Sequence, residues 1–390
     1  MVGKMHRRSF LKGSLGALAA GQGASLLEAR GPETASVIAK GFAAAPAVSR
    51  RLPRMVASPP RLTTIAEMVQ APDHDLAWLL DALQIAIQIE LATLPPYLAA
   101  YWTIRDSSDP VAASVMEVSS EEMLHFGLAC NLLSAIDGTP LIADSSVVPN
   151  FPCPLPGGVR PGLIVSLRKL DKEQAQIFME IEYPQAGLIT AVAAPPVTIG
   201  EFYGSILAAF KDLNPTLSTQ LQIDQSFEFG ELFKVDSLSA VERAIELVKL
   251  QGEGSNTSPE EASGDLAHYY RFGEIHHEKK YVKDVAGNWG YNGENFPIPD
   301  VHPMADIPAG GYRQGDVPDP TVWELIQRFD HQYSEMLRLL QMAWTNDGAI
   351  LEFAVHQMLA MGATGRELVT IPRPDGRGNY GPCFRYVAAV

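Results

Sequence analysis

Apolar side chains recur at intervals of three and four residues along several long segments of the chain. In the segment after Asp75 they share one helical face: Leu76, Leu79, Leu80, Leu83, Ile87, Leu91 and Leu94. This spacing predicts an amphipathic helix. Pro95-Pro96 predicts that the helix ends or kinks there, because proline lacks a backbone N–H and clashes with the preceding turn. The same reasoning predicts further helices over residues 110–136, 172–194, 199–213, 239–252, 266–282, 322–344 and 349–363.

The segments between these helices suggest how the chain is divided. Residues 1–60 are dominated by Ala, Pro, Gly and Arg, and we expect a signal peptide and linker there. Residues 61–390 are predicted to form one mainly α domain with long irregular loops. Residues 288–320 carry many Gly, Pro, Asn and Asp residues, so this segment is expected to be a lid or binding loop.

Two of the predicted helices carry ionisable residues on an apolar face. Glu90 shares its face with Leu83, Ile87 and Leu94. Glu122 and His125 lie one turn apart on a second such face, and Glu-x-x-His is the spacing by which four-helix bundles hold paired metal ions. Buried carboxylates and imidazoles need compensation, which a shared metal ion provides. Glu90, Glu122 and His125 are therefore predicted metal ligands, whereas the neighbouring Glu121 is expected at the rim of the site or in solvent.

A paired metal site of this type takes further ligands from two more helices, and there the sequence leaves alternatives. Glu201 is one candidate, but Thr198 and Glu201 also have the spacing of a capping box at a helix start. Glu180 and Glu182 remain open as alternatives.

Glu253 and His268 are a further candidate pair. Glu253 lies between two glycines at a predicted helix C-terminus, where a carboxylate is unfavourable unless a cation is close. Glu274 and His277 repeat the Glu-x-x-His spacing, but their charged surroundings are typical of a solvent-facing helix end. We therefore favour Glu253 and His268.

Charge and targeting signals restrict the partners and location of the protein. The formal net charge is −15 and the body of the chain has no basic cluster, so nucleic acid is excluded as a partner. No uninterrupted apolar run is long enough to predict an integral membrane span.

Arg7-Arg8, followed by Phe10, Leu11 and a small-residue stretch, predicts a twin-arginine export signal and a periplasmic or secreted protein. Cys153 and Cys383 could pair in such a compartment.

Several stretches of the chain resemble the ferritin-like domain of the VioB and iminophenyl-pyruvate dimer synthase family, from about Asp75 to Val390. They are Ile89-Glu90-Leu91-Ala92-Thr93-Leu94-Pro95-Pro96-Tyr97, Glu121-Glu122-Met123-Leu124-His125-Phe126, Thr198-Ile199-Gly200-Glu201-Phe202-Tyr203, Gln251-Gly252-Glu253-Gly254, His268-Tyr269-Tyr270-Arg271-Phe272 and Gly381-Pro382-Cys383-Phe384. The resemblance implies that residues 61–390 form a ferritin-like four-helix bundle with extra C-terminal helices, and that the bundle holds a carboxylate-bridged metal pair. It implies Glu90, Glu122 and His125 as ligands and extends to Glu201, Glu253 and His268.

The function expected from these features is that of an exported oxidoreductase with two metal ions, iron or manganese. Carboxylate and imidazole ligands suit these metals, and the lack of thiolate spacing argues against an iron–sulfur cluster. Such a site uses dioxygen or peroxide to oxidise a small organic substrate, which the resemblance implies to be amino-acid-derived. The alternatives are a non-enzymatic metal-binding or iron-handling protein, and a scaffold whose former metal site is now polar core. The oligomeric state is left open.

Overall fold

The computed structural model describes residues 55–56, 64–184, 196–255, 258–261 and 263–388. Within these residues the chain forms nine α-helices: α1 (Ile65–Val69), α2 (Leu76–Thr103), α3 (Pro110–Ala135), α4 (Lys172–Ile181), α5 (Ile199–Leu213), α6 (Leu238–Gly252), α7 (His268–His277), α8 (Pro320–Thr345) and α9 (Leu351–Thr370). Three two-stranded ribbons accompany them: β1 (Met55–Val56) parallel to β2 (Gly138–Thr139), β3 (Gln225–Phe227) antiparallel to β4 (Gly230–Leu232), and β5 (Val282–Lys283) antiparallel to β6 (Trp289–Gly290). The predicted mainly α class is confirmed.

The long helices α2 and α3 begin at acidic caps. The Asp75 carboxylate accepts from Trp78 N at the start of α2, and the Asp109 carboxylate accepts from Val111 N at the start of α3. The prediction allowed an end or a kink at Pro95-Pro96; the helix does not end there, since α2 continues through both prolines to Thr103. Each interior proline costs about 3 kcal/mol, and this cost is offset because nearly every residue of α2 is buried.

Helix α2 is also the described helix that is long and apolar enough to cross a membrane by length and composition. Of its most apolar window, 78% is buried inside the protein. It is therefore the central core helix of the domain, which agrees with the prediction of no integral span.

The four-helix bundle is built from two continuous and two interrupted helices. Helices α2 and α3 pack along each other as one antiparallel half. In the other half α4 packs against α7, and α5 packs against α6. Helix α2 contacts both α4 and α5, while α3 contacts both α6 and α7, so α4 with α5 takes the third position and α6 with α7 takes the fourth.

The interruptions of the third and fourth helices differ from the predicted boundaries. Helix α4 ends at Ile181, earlier than the predicted 194, and residues 185–195 lie outside the described part. Helix α6 ends at Gly252, and Gly254 follows with φ +78°, a conformation that favours glycine. Helix α7 covers only residues 268–277 of the predicted 266–282. Helix α6 starts at an N-cap Ser237, so the predicted start at Ser239 was two residues late.

The C-terminal extension closes one side of the bundle. Helices α8 and α9 form a packed pair, and α9 contacts α2. At that contact the Trp102 ring packs against Phe329 and Phe384, with centroids 5.8 and 5.7 Å away.

Strand β1 lies within the predicted linker, and residues 1–54 with the predicted export signal lie outside the described part. Cys130, Cys153 and Cys383 are free thiols.

Candidate metal centre

Five ionisable side chains converge inside the bundle, close to the interruptions of its third and fourth helices. Glu90 comes from the middle of α2, and Glu122 and His125 come from consecutive turns of α3. Glu182 is the C-cap residue of α4, and His268 is the first residue of α7. Each is 5% exposed or less. The cluster therefore combines two carboxylates and one imidazole from continuous helices with one carboxylate and one imidazole from helix ends.

The carboxylate of Glu122 lies at the centre of the cluster. Its Oε1 is 2.8 Å from His268 Nδ1 and 3.3 Å from His125 Nδ1. Its Oε2 accepts a hydrogen bond of 2.9 Å from the Thr93 hydroxyl. Both imidazole rings thus present the same nitrogen to one oxygen.

The two outer carboxylates flank this centre in matching positions. Glu90 Oε2 is 3.8 Å from His125 Nδ1, and Glu182 Oε2 is 3.7 Å from His268 Nδ1. The other oxygen of each is held by a buried phenol: Tyr203 donates to Glu90 Oε1 at 2.6 Å, and Tyr97 donates to Glu182 Oε1 at 2.5 Å. Each histidine therefore has one carboxylate of its own and shares Glu122 with the other.

The outward ring nitrogens fix how the two imidazoles are oriented. His125 Nε2 lies 2.8 Å from Gln251 Oε1, and His268 Nε2 lies 2.9 Å from Glu121 Oε2. Both partners are acceptors, so each Nε2 carries a hydrogen and each ring turns its Nδ1 toward Glu122. A lone pair cannot face a carboxylate oxygen at these distances without a proton or a cation between them.

Burial and mutual charge set the ionisation of the carboxylates. Burial, helped by the charge of Glu122, raises the pKa of Glu90 well above its ordinary value and also raises the pKa of Glu182. Burial also raises the pKa of Glu122, but its close contacts with the imidazoles of His125 and His268 outweigh this effect, so the net shift is downward. These shifts favour ionisation of Glu122 over ionisation of Glu90 and Glu182.

Burial acts on the pKa of the His268 imidazole in the opposite direction from its effect on the carboxylates. Burial lowers the pKa of its imidazole, but contacts with Glu121, Glu122 and Glu182 outweigh burial and raise it well above the ordinary value. His268 Nδ1 nevertheless makes no hydrogen bond of acceptable direction to any described residue, although Glu122 Oε1 is only 2.8 Å away. A nitrogen that is close to a carboxylate oxygen but poorly aligned for a hydrogen bond is suited to bind a metal ion together with that oxygen.

The chemistry of the donor set fits a metal ion. Glu122, His125 and His268 each offer a ligand atom, and these atoms all lie within 4.8 Å of one another. Two ligand atoms about 2.1 Å from one ion lie about 3 Å apart at right angles. Oxygen and nitrogen donors without a thiolate suit iron, manganese or zinc.

The structure places the other predicted ligands differently. Glu201 is the third residue of α5, and its carboxylate accepts from Thr198 N at 3.0 Å as half of a capping box. Glu253 caps the end of α6, and its carboxylate accepts from Gly200 N at 2.6 Å. The N-terminus of α5 thus compensates the unfavourable position of Glu253. The structure does not bring Glu201 or Glu253 into the cluster of Glu122.

Four residues contradict or complete the sequence-based picture. Of the two positions predicted for Glu121, rim or solvent, the structure shows the rim: its side chain is 13% exposed and contacts His268. Glu182, one of two open alternatives in the sequence, joins the cluster, and Gln251 contacts His125. Glu274 was expected to face solvent but is buried, where Lys280 Nζ donates to it at 2.6 Å. No periodic signal marks Glu182 or Gln251, because both lie at helix ends.

Comparison with known proteins agrees with this architecture. A family model described as ferritin-like matches residues 83–277. Dichlorochromopyrrolate synthase of Lentzea aerocolonigenes is 26% identical over 324 residues, which make up 70% of this chain and 30% of that protein. The chain thus spans less than a third of the length of this relative. A crystal structure of a ferritin-like protein from Caulobacter vibrioides superposes with a TM-score of 0.57 at 20% identity, covering 81% of this chain and all of that one.

Proposed function

This chain belongs to the ferritin-like family, and on that premise we propose that it is a metal-dependent oxidoreductase with two metal ions, iron or manganese, held by Glu90, Glu122, His125, Glu182 and His268. The observation that carries the proposal is the pair of Nδ1 atoms turned toward a single Glu122 oxygen, with a carboxylate of its own beside each. Two half-sites that share one carboxylate are the arrangement expected of a bridged metal pair.

The protein contributes more than ligands to this proposal. Gln251 and Glu121 hold the outer nitrogens of the imidazoles, and Tyr203 and Tyr97 hold the outer carboxylates, so the rings and carboxylates are oriented before an ion arrives. The surrounding apolar core keeps water from the site. When bound, a redox-active metal pair supplies the electrons by which dioxygen or peroxide is reduced.

The proposed substrate is a small, amino-acid-derived organic molecule. Support comes from the relative named dichlorochromopyrrolate synthase, whose name denotes the formation of a small organic product. Because this chain spans only 30% of that protein, the product itself is not carried over.

Elemental analysis of the purified protein tests the metal assignment. We expect about two ions per chain in the wild type, and a loss of both in Glu122→Ala because the shared ligand is removed. Glu201→Ala serves as the control, since Glu201 caps a helix outside the cluster. Equal metal content in the wild type and in Glu122→Ala would refute the site.

A non-enzymatic iron-handling role is the second candidate, and the burial of the cluster favours it. An exposure of 5% or less for every ligand gives small ions and dioxygen an easier route than an organic molecule. The two roles differ in what accompanies oxygen consumption by the iron-loaded protein. Oxidation of added amino-acid-derived substrates supports the enzyme, whereas oxygen consumption that tracks added Fe²⁺ alone supports iron handling.

Export by the twin-arginine route forms part of the proposal and rests on Arg7-Arg8 and the segment that follows. Cell fractionation of the wild type and of a variant with both arginines changed to lysine tests it. We expect the wild type in the periplasm or medium and the variant in the cytoplasm. The same cytoplasmic location for both would refute export.

A further inference from the structure

The two imidazoles of the cluster differ in what holds their outer nitrogens. His125 Nε2 faces the neutral carboxamide of Gln251 at 2.8 Å. His268 Nε2 faces the carboxylate of Glu121 at 2.9 Å. In other respects the half-sites match, since each has one outer carboxylate held by one tyrosine and both share Glu122. The difference between the half-sites therefore lies mainly outside the ligands.

The charge behind His268 is not fully cancelled by its neighbours. Glu121 pairs with Arg271 at 3.2 Å, and Arg271 pairs with Glu261 at 2.7 Å. Arg271 thus divides one positive charge between two carboxylates, so the group of Glu121, Arg271 and Glu261 has a net negative formal charge. Glu117 is 4.0 Å from Arg271 and adds a further, more exposed carboxylate.

We propose that Glu121 and Gln251 make the two metal positions unequal, so that the position of His268 and Glu182 binds a divalent cation first and more tightly than the position of His125 and Glu90. A carboxylate behind an imidazole increases the basicity of the ligating nitrogen and adds negative charge near the ion. A carboxamide orients the ring but adds no charge. Glu121 and Gln251 are thus positioning residues, and the inference rests on the proposed metal pair.

Titration of the metal-free, full-length protein with Mn²⁺ tests this inference, with free ion measured by equilibrium dialysis and bound ion by electron paramagnetic resonance. The wild type is expected to bind in two resolved steps, with an uncoupled signal at the first equivalent and a coupled signal at the second. His268→Ala should remove the tighter step, and His125→Ala should remove the weaker step.

Two further variants exchange the carboxylate of Glu121 and the carboxamide of Gln251. Glu121→Gln should weaken the tighter step about 10- to 100-fold and leave the weaker step nearly unchanged. Gln251→Glu should strengthen the weaker step, so that the dissociation constants of the two bound ions become more similar. Glu117→Gln is the matched control, because it removes the same charge one turn away without touching an imidazole, and it should change neither step.

The outcomes separate this inference from the proposed function. No Mn²⁺ or Fe²⁺ binding by the wild type overturns the metal site itself. Two bound ions of equal affinity, or an equal effect of Glu121→Gln on both steps, overturn the inequality and leave the metal pair standing. If Glu121→Gln does not fold, Gln251→Glu decides alone: an unchanged weaker step refutes the role of the outer residues.

Discussion

The imidazole rings of His125 and His268 lie nearly parallel, with centroids 5.5 Å apart and an interplanar angle of 25°. Two imidazolium charges at that separation would repel by about 3 kcal/mol at an effective dielectric of about 20. The Glu122 carboxylate between them offsets this repulsion, and a metal ion at His268 Nδ1 would replace the proton there. The nitrogen of His268 that faces Glu122 is therefore a position where metal ions and protons compete.

The first prediction concerns pH. Contacts with Glu121, Glu122 and Glu182 outweigh burial and raise the pKa of His268 well above its ordinary value, and burial raises the pKa of Glu90 and of Glu182, so all three groups hold protons more tightly in the metal-free protein. Metal must displace these protons, so affinity should rise with pH, about tenfold per unit for each proton displaced. Calorimetry of Mn²⁺ binding at pH 7 in buffers of different ionisation enthalpy should count at least one released proton.

His268→Ala supplies the control for proton release. Removing the imidazole removes its proton, so the variant should release fewer protons per bound ion than the wild type. Binding to the wild type without proton release, or affinity that falls as pH rises from 6 to 8, would contradict the assignment of Nδ1 as a ligand.

The second prediction concerns the phenols that hold the outer carboxylates. Tyr203→Phe leaves the buried Glu90 Oε1 without its 2.6 Å donor. An unsatisfied buried acceptor costs about 1–3 kcal/mol, so the free energy of unfolding of the metal-free protein should fall by that amount. Urea denaturation measures the change. Tyr333→Phe is the matched control: Tyr333 is equally buried, but its hydroxyl bonds to none of the described residues. An equal loss in both variants would contradict the role of the hydrogen bond.

The third prediction concerns the start of α5. A Cβ at Gly200 would lie 2.6 Å from Glu253 Oε2 and 2.8 Å from its Cδ, so Gly200→Ala must displace the carboxylate that accepts from Gly200 N. We expect a loss of about 1–3 kcal/mol in the free energy of unfolding. Gly204→Ala is its control on the same helix, where the nearest atom is Lys249 Nζ at 3.7 Å. This change should stabilise α5 by about 0.5–1 kcal/mol. Thermal unfolding distinguishes the two, and equal shifts would refute the predicted clash.

The fourth prediction concerns the docking of α9 on α2. A Cβ at Gly365 would lie 2.5 Å from the buried Trp102 ring, whereas one at Gly362 would lie 3.7 Å from it. Gly365→Ala should destabilise the fold by about 1–3 kcal/mol through overpacking, and Gly362→Ala should be tolerated. Tryptophan fluorescence during urea unfolding reports both stability and the packing of Trp102. Stability unchanged by Gly365→Ala would show that the two helices are not docked as described.

Within the first half of the bundle, sequence periodicity was enough to predict which ionisable side chains meet in the cluster around Glu122. Glu90, Glu122 and His125 interrupt apolar stripes on continuous helices, where the 3.6-residue repeat fixes which side chains face inward. The structure brings these three together. The pair of prolines was misleading as a helix end, because the packing of a fully buried helix offsets the cost of two missing donors.

Within the second half, the repeat is lost just where the site lies. Glu182 and His268 stand at the end of α4 and the start of α7, so no stripe identifies their direction. Glu121 follows the periodicity of an outward face, yet the N-terminal residue of α7, His268, packs over it and contacts its carboxylate.

The sequence by itself determined the mainly α class, the first two bundle helices and the inward direction of Glu90, Glu122 and His125, since all of these follow from local spacing. Only the tertiary structure decided that Glu182, Glu121 and Gln251 stand around the imidazoles and that Glu253 caps another helix. Those assignments depend on contacts between residues 53–147 positions apart, such as Gly200 with Glu253 and Glu121 with His268, which no local pattern encodes.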